Sequence, residues 1–208
     1  MIKILNLKKK YYEQAILDIP SAKLEENLIW LKGINGSGKT TLLKITGGII
    51  PFEGEIEIGA IGLKKDPLRY RQQVNYAEAE PLYPTFLSGL DLVDFHEKTR
   101  QGSKAQSQKL IHALGIDDYY KNKIGTYSSG MVKRLSLVLA FLGNPQLILL
   151  DEPLVTLDVA SQKILYQLMR DHIQNGTQII FTSHQALDQE QLPLIAEMSI
   201  QNHQLCAG

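Results

Sequence analysis

Cysteine is almost missing from this sequence: Cys206 stands alone among 208 residues, so no intrachain disulfide can form and no cysteine cluster is available to hold a metal. An excess of one charge is missing too. Lysine plus arginine and aspartate plus glutamate both number 22, so no global field points to nucleic acid or to an anionic membrane. No apolar run approaches the ~20 residues that a membrane-spanning helix requires. The opening residues mix charged and apolar types, unlike the apolar core of a secretory leader. Internal repeats and low-complexity tracts are absent. What remains is a chain long enough to bury a sizeable core, read as one cytosolic α/β domain. Any membrane work is expected to go through a partner, without direct membrane insertion, and no nucleic-acid partner is expected.

Against that plain background one segment stands out. Gly33-Ile34-Asn35-Gly36-Ser37-Gly38-Lys39-Thr40 follows an apolar run at residues 28–32 that reads as a buried strand. It precedes a short helical pattern at residues 40–46. A glycine-rich turn between strand and helix lets successive backbone N–H groups point inward at an anion. Lys39 is expected to reach the β- and γ-phosphates of a nucleotide, and the Thr40 hydroxyl to ligate magnesium. A glycine turn that merely matches the pattern would not need the strand before it and the helix after it; both are present.

A cradle of this kind serves kinases, GTPases, helicases and transport ATPases alike. A second segment narrows the field. Leu147-Ile148-Leu149-Leu150 is an apolar run of the kind a buried parallel strand shows, with function expected at its carboxyl end. There stand Asp151, placed to hold magnesium directly or through water, and Glu152, placed to orient and deprotonate a water. Pro153 follows them.

A third segment, Tyr127 to Arg134, opens an amphipathic helix at residues 131–142 that Gly143 and Pro145 stop. Ser128 or Ser129 is expected to cap it, which makes a second place where backbone N–H groups and a helix dipole attract an anion. Elsewhere, short strands are expected at residues 2–7, 15–19 and 55–58. Helices are expected near 87–98, 104–114 and 160–174, a strand at 178–182, and a hairpin at 197–205 turning at Asn202-His203. His96, His112, His172 and His203 have no ligand spacing and read as surface or packing residues.

Taken together these residues resemble the ATP-binding subunits of ABC transporters, over essentially the whole chain from Ile2 to Leu205. Gly33 to Thr40 is similar to the Walker A motif, and Leu147 to Pro153 to Walker B with its catalytic glutamate. Ser128-Ser129-Gly130-Met131 sits where the family has its Ser-Gly-Gly-Gln signature, followed by basic Lys133-Arg134. Leu157-Asp158 resembles the D-loop, and Thr182-Ser183-His184 the switch histidine. Tyr11, or the adjacent Tyr12, falls where the family places an aromatic ring against adenine. The resemblance implies an α/β fold: a P-loop NTPase core at about residues 1–76 and 145–208 and an inserted α-helical subdomain at about 77–144. It also implies ATP and magnesium as ligands. ATP-binding positions are then Tyr11, Gly33, Ile34, Asn35, Gly36, Ser37, Gly38, Lys39, Thr40, Thr41, Ser128, Gly130 and Asp158. Magnesium falls to Thr40 and Asp151, and catalysis to Glu152, His184 and Lys39.

Two departures from the family pattern stand in the sequence. Ser129 and Met131 replace its glycine and glutamine, while Ser128 and Gly130 are kept. The family's Q-loop glutamine is missing: counting forward from Tyr76 puts Ala79 there, and counting back from Leu82-Tyr83 puts Glu78 there. The mechanism implied is ATP-driven head-to-tail pairing with a second copy or a similar ATPase subunit. Each ATP then lies between the cradle of one chain and the signature of the other. A separate membrane-spanning subunit, met near residues 81–95, would turn closure into transport from the cytoplasmic face. The form of the signature leans toward the ABC-2 export group, and import stays open. A soluble ABC ATPase, for example of the Fe–S cluster assembly type, is the competing reading. A P-loop kinase does not account for residues 128–134 and 184 in this order.

Overall fold

The computed structural model describes residues 1–185, 191–192 and 195–208. The chain begins with β1 (Ile2–Tyr11) and β2 (Gln14–Leu24), an antiparallel hairpin in which Ile2 faces Leu24 and Tyr11 faces Gln14. Both strands outrun the expected 2–7 and 15–19. Lys8 and Lys9 pair with Asp18 and Leu17, so backbone pairing carries the strand through a stretch with no apolar alternation. Ile2 and Ile4 are buried and then Leu7, a break in the two-residue period of a strand. Asn6 explains it: its φ is 49°, and the register against the neighbouring strand shifts between Leu5 and Lys8, as at a bulge. Opposite stands Gly54, with a φ of 94°, where a Cβ would lie 2.3 Å from the Asn6 carbonyl oxygen. Only glycine fits there.

Beyond β3 (Leu28–Lys32) and α1 (Lys39–Thr46), β4 (Glu53–Ile58) and β5 (Ile61–Gly62) complete a four-stranded sheet in the order β2-β1-β4-β5. The short helix α2 (Pro67–Gln72), capped by Asp66 accepting from the Arg69 N–H, leads into β6 (Val74–Ala77). Three helices follow: α3 (Gly89–Thr99), α4 (Lys104–Ala113) and α5 (Ser129–Phe141). Helix α3 starts later than the expected residue 87 because Ser88 caps it, accepting from the Asp91 N–H while the Asp91 carboxylate accepts from the Ser88 N–H. After β7 (Leu147–Leu150) come α6 (Val159–Gln174), β8 (Gln178–Phe181), β9 (Ala196–Gln201) and β10 (Gln204–Ala207). They form a second sheet, β10-β9-β3-β8-β7-β6, parallel from β9 to β6 with β10 antiparallel at its edge.

Strand β7 shows why the apolar run carries no alternation. Leu147 and Leu149 face one core, shared with the four-stranded sheet and α1, while Ile148 and Leu150 face the other, shared with α5 and α6. Both faces of the sheet are covered. Because β3, β8, β7 and β6 lie side by side and parallel, their carboxyl ends come out together on one edge. At that edge the chain places Gly33, Thr182, Asp151 and Glu78.

Candidate nucleotide site

The cradle depends on backbone conformations that side chains resist. Gly33, Gly36 and Gly38 have φ values of 147°, 81° and 103°, all outside the range ordinary residues adopt without cost. Gly38 ends the loop and caps α1, and a Cβ on it would press on Ile16 and Leu17 at 3.2 Å. Helix α1 thus begins at Lys39, whose side chain is 7% exposed and turns back over the loop. Its ammonium donates to the Gly33 carbonyl at 2.6 Å and to the Ile34 carbonyl at 3.0 Å. Burial pushes its pKa down, and the Glu152 and Asp151 carboxylates oppose that shift.

At the other wall Asp151 is 2% exposed and is fixed from several sides. The Thr40 hydroxyl donates to its Oδ2 at 2.7 Å and the Thr182 hydroxyl to its Oδ1 at 2.7 Å. The Tyr76 hydroxyl donates to Oδ2 at 3.4 Å, and burial with the neighbouring Asp151 charge raises its pKa strongly. Glu152 has a φ of 45°, a left-handed conformation that costs a glutamate about 1 kcal/mol or more. That turn directs its carboxylate across the site: Oε2 accepts from the His184 N–H at 3.1 Å, and the His184 Nε2 stands 3.4 Å from Oε1. The second contact is an ion-pair distance without hydrogen-bond alignment, and Oε1 is buried with no aligned donor.

These walls enclose a cavity of about 330 Å³. Of the residues singled out in the sequence, Asn35, Gly36, Gly38, Lys39, Thr40 and Thr41 line it from the loop side. Asp151, Glu152 and His184 line the far side. Ile16 also lines it, and no feature of the sequence marks that residue. Gly33 and Ile34 contribute carbonyls to Lys39, and the buried Ser37 Oγ has no hydrogen-bond partner. Tyr11 is outside this lining: its ring is half exposed under the Lys9 ammonium, 4.8 Å from the centroid, and Tyr12 is fully exposed. Ser128, Gly130 and Asp158 are outside it as well. The Ser128 hydroxyl accepts from the Met131 N–H at 3.3 Å and caps α5. Asp158 caps α6, accepting from the Ser161 N–H at 2.8 Å, and pairs with Arg134 at 2.5 Å. The cap bonds to Ser161, with Arg134 behind them, hold its pKa low.

Glu78 and Ala79, the two positions counted for the Q-loop, follow directly on β6. Ala77 ends β6 opposite Leu150, so Glu78 comes level with Asp151, but its carboxylate pairs with Lys44 of α1 at 3.3 Å. Neither Glu78 nor Ala79 offers an amide to the cavity. A second cleft of about 290 Å³, lined by Ile49, Tyr76, Glu78 and Pro81 among others, opens beside it. Leu82, Phe86 and Phe95 are largely exposed in the adjoining segment. A larger cavity, about 480 Å³, lies at the opposite ends of β7 and β8 beside Gln146, Thr177 and His172, away from every site residue named above.

A family model described as ABC transporter matches residues 20–155. The chain belongs to the ABC transporter family. Within that family it is an ATP-binding subunit, an ATPase of the transport-driving kind. It is 32% identical over 191 residues to the uncharacterized ABC transporter ATP-binding protein YybJ of Bacillus subtilis (strain 168), covering 90% of this chain and 87% of YybJ. It is 28% identical over 190 residues to the linearmycin resistance ATP-binding protein LnrL of the same organism, and the chain spans 61% of LnrL's length. The fold matches that of a dimeric, post-hydrolysis ATP-binding cassette, MJ0796 bound to ADP and Pi, with a TM-score of 0.81, 20% identity and 99% of this chain covered. The α/β ABC ATPase fold expected from the sequence is therefore the fold found. The donors present also suit the ligands of that family. Thr40 and Asp151 offer the hard oxygens magnesium takes, and a buried ammonium at a helix N-terminus suits phosphate.

Proposed function

We propose that the chain is one ATP-binding domain, with the helices of about residues 77–144 as its helical subdomain, and that it works as half of a head-to-tail pair. The observation that carries this reading is the division of the site residues. Lys39, Thr40, Asp151, Glu152 and His184 converge on one cavity, while Ser128 and Gly130 lie outside its lining on the exposed start of α5. A second chain brings its own Ser128 and Gly130 to the γ-phosphate held by the first, and the nucleotide joins the halves.

In hydrolysis Lys39 bears charge developing on the β- and γ-phosphates, and Glu152 accepts a proton from the attacking water. His184, tied to Glu152 through its backbone N–H, holds that water in line. Thr40 and Asp151 would hold magnesium, which neutralises phosphate charge when bound. Tyr11 or Tyr12 would stack on adenine. Asp158 would meet the partner's nucleotide at the dimer seam.

No helix among the described residues is long and apolar enough to cross a membrane. We place the chain on the cytoplasmic face of a membrane, against a separate membrane-spanning subunit of an exporter. The cleft beside Glu78 and the exposed Leu82, Phe86 and Phe95 support that contact surface, since large exposed apolar groups mark interaction sites. The test of the ATPase half is Glu152→Gln. The amide keeps the shape but takes no proton, so turnover falls by about a hundredfold or more. An ATP-bound dimer then accumulates, seen by size measurement with ATP and magnesium. Wild-type turnover in this variant removes Glu152 from the base role. The test of the transport half is co-purification from detergent-solubilised membranes: a membrane-spanning partner supports it, and purely soluble partners favour the Fe–S assembly type.

A further inference from the structure

The residue Lys133 lies on α5, five positions after Ser128, and is 1% exposed. A buried cation is costly unless every donor is satisfied. Here the ammonium donates to the Glu78 carbonyl at 3.0 Å, the Ala79 carbonyl at 3.1 Å and the Asp151 carbonyl at 3.2 Å. Three donors meet three acceptors, drawn from two loops that follow neighbouring strands.

The Asp151 carbonyl belongs to the peptide bond that precedes Glu152. The other end of the same bond is held too, because the Glu152 N–H donates to the Thr182 hydroxyl at 2.9 Å. A peptide plane gripped at both its oxygen and its N–H cannot rotate. The next rotation along the chain is the left-handed φ of Glu152, 45°, which aims the carboxylate at the His184 N–H.

We propose that Lys133 is a positioning residue for hydrolysis: it clamps the Asp151–Glu152 peptide, and through it the aim of Glu152, and ties that peptide to the loop at residues 78–79 and to the signature helix. The inference rests on Glu152 being the base. It also gives the chain a connection at the position where the family carries its missing glutamine. Burial pushes the Lys133 pKa down to about 8, with the charges of Asp151 and Glu152 opposing the shift. A displacement of the loop at 78–79, or of α5, reaches Asp151 through this one side chain.

The experiment compares Lys133→Met, an unbranched side chain one atom shorter with no donors, with Lys133→Gln, which has the same reach as methionine and keeps two N–H donors. Both are read alone and in the Glu152→Gln background, with ATP and magnesium as the ligands and melting curves to establish folding. Lys133→Met is expected to lower kcat by about tenfold or more, with Lys133→Gln in between. The KM for ATP and the affinity for ATP under non-hydrolysing conditions stay within about twofold of wild type. In the Glu152→Gln background Lys133→Met lowers the residual turnover by less than about twofold, because the group it aims is gone.

A folded Lys133→Met with wild-type kcat overturns the proposal, and so does a folded Lys133→Gln with wild-type kcat should methionine prevent folding. An effect carried by KM alone, or an undiminished effect in the Glu152→Gln background, also overturns it. Failure of both variants to fold would make Lys133 a folding residue and nothing more. If Glu152→Gln itself turns over like wild type, the reading of the base falls and this inference falls with it.

Discussion

The two anion-facing regions of this chain are built in opposite ways. Around the cradle, polar groups are buried and held on several sides: Asp151 receives hydrogen bonds from Thr40, Thr182 and Tyr76, and Lys39 folds onto two carbonyls. At the signature, Ser128 caps its own helix and otherwise faces solvent. Groups fixed by hydrogen bonds within one chain are preorganised for a ligand, since their dipoles need no rearrangement when charge arrives. An exposed cap at the start of a thirteen-residue helix is an unfinished half, with a dipole that favours negative charge. On the proposed head-to-tail pairing, this difference would keep catalysis switched off until two chains meet.

The comparison breaks hardest at Lys39. Lys39→Ala deletes the buried cation of the finished half and should lower turnover by a factor of about a thousand or more, with a matching loss of ATP affinity. Steady-state hydrolysis and nucleotide titration check both. Asp151→Asn comes next. It keeps the size and most of the hydrogen bonds but removes the negative charge, so turnover should fall about a hundredfold and the magnesium midpoint should rise. Unchanged magnesium dependence would move the metal away from Asp151.

Ser128→Asp sharpens the comparison by separating the cap from the anion contact. Aspartate caps a helix as well as serine does, so stability should change by less than about 0.5 kcal/mol, whereas Ser128→Ala should lose about 1 kcal/mol. Yet the added carboxylate repels a γ-phosphate, so Ser128→Asp should block dimer formation while monomer ATP binding stays near wild type. The smallest effect is expected from Asp158→Asn. Asparagine keeps the cap on α6 and loses only the exposed ion pair with Arg134, which surface screening makes weak. Melting temperature should scarcely move, and a clear loss of turnover would show that the proposed place of Asp158 at the dimer seam depends on its charge.

Much of this was legible because the finished half is written in short, contiguous segments. Gly33 to Thr40 and Leu147 to Glu152 each carry their strand, turn and chemistry together, so the cavity walls follow from local pattern. The helices were legible through their period and their caps, and their ends moved by a residue or two where Ser88 and Ser128 took the cap position. The Asp66-Pro67 start of α2 and the two-residue β5 escape a reading by periodicity, since elements this short carry no period. Strand β1 outruns its apolar pattern because Lys8 to Tyr11 are held by pairing with β2, whereas β2 runs on past Pro20 to bury Leu24 in the core.

Residues that act across the fold were the least legible. Thr182 was visible only as part of a family motif, and its grip on Asp151 depends on β7 and β8 being neighbours. Tyr76 meets Asp151 because β6 pairs with β7. Lys133 sits on an amphipathic helix where a lysine reads as solvated, and only the approach of residues 78–79 and 151 buries it. Helical period cannot report a partner that arrives from another strand.

The most direct test of the central claim, that each site is shared between two chains, mixes Lys39→Ala with Ser128→Arg. Each variant is expected to be inert as a homodimer. In the mixed dimer one site collects both lesions, and the other receives an intact Lys39 and an intact Ser128 from different chains. Hydrolysis and tight ATP binding are measured together on mixed dimers shown to form. The account predicts that mixing restores tight ATP binding at one site per dimer, with hydrolysis returning unless the two sites must fire together. Recovery of neither would contradict it, since that is the result expected if Ser128 serves the nucleotide of its own chain.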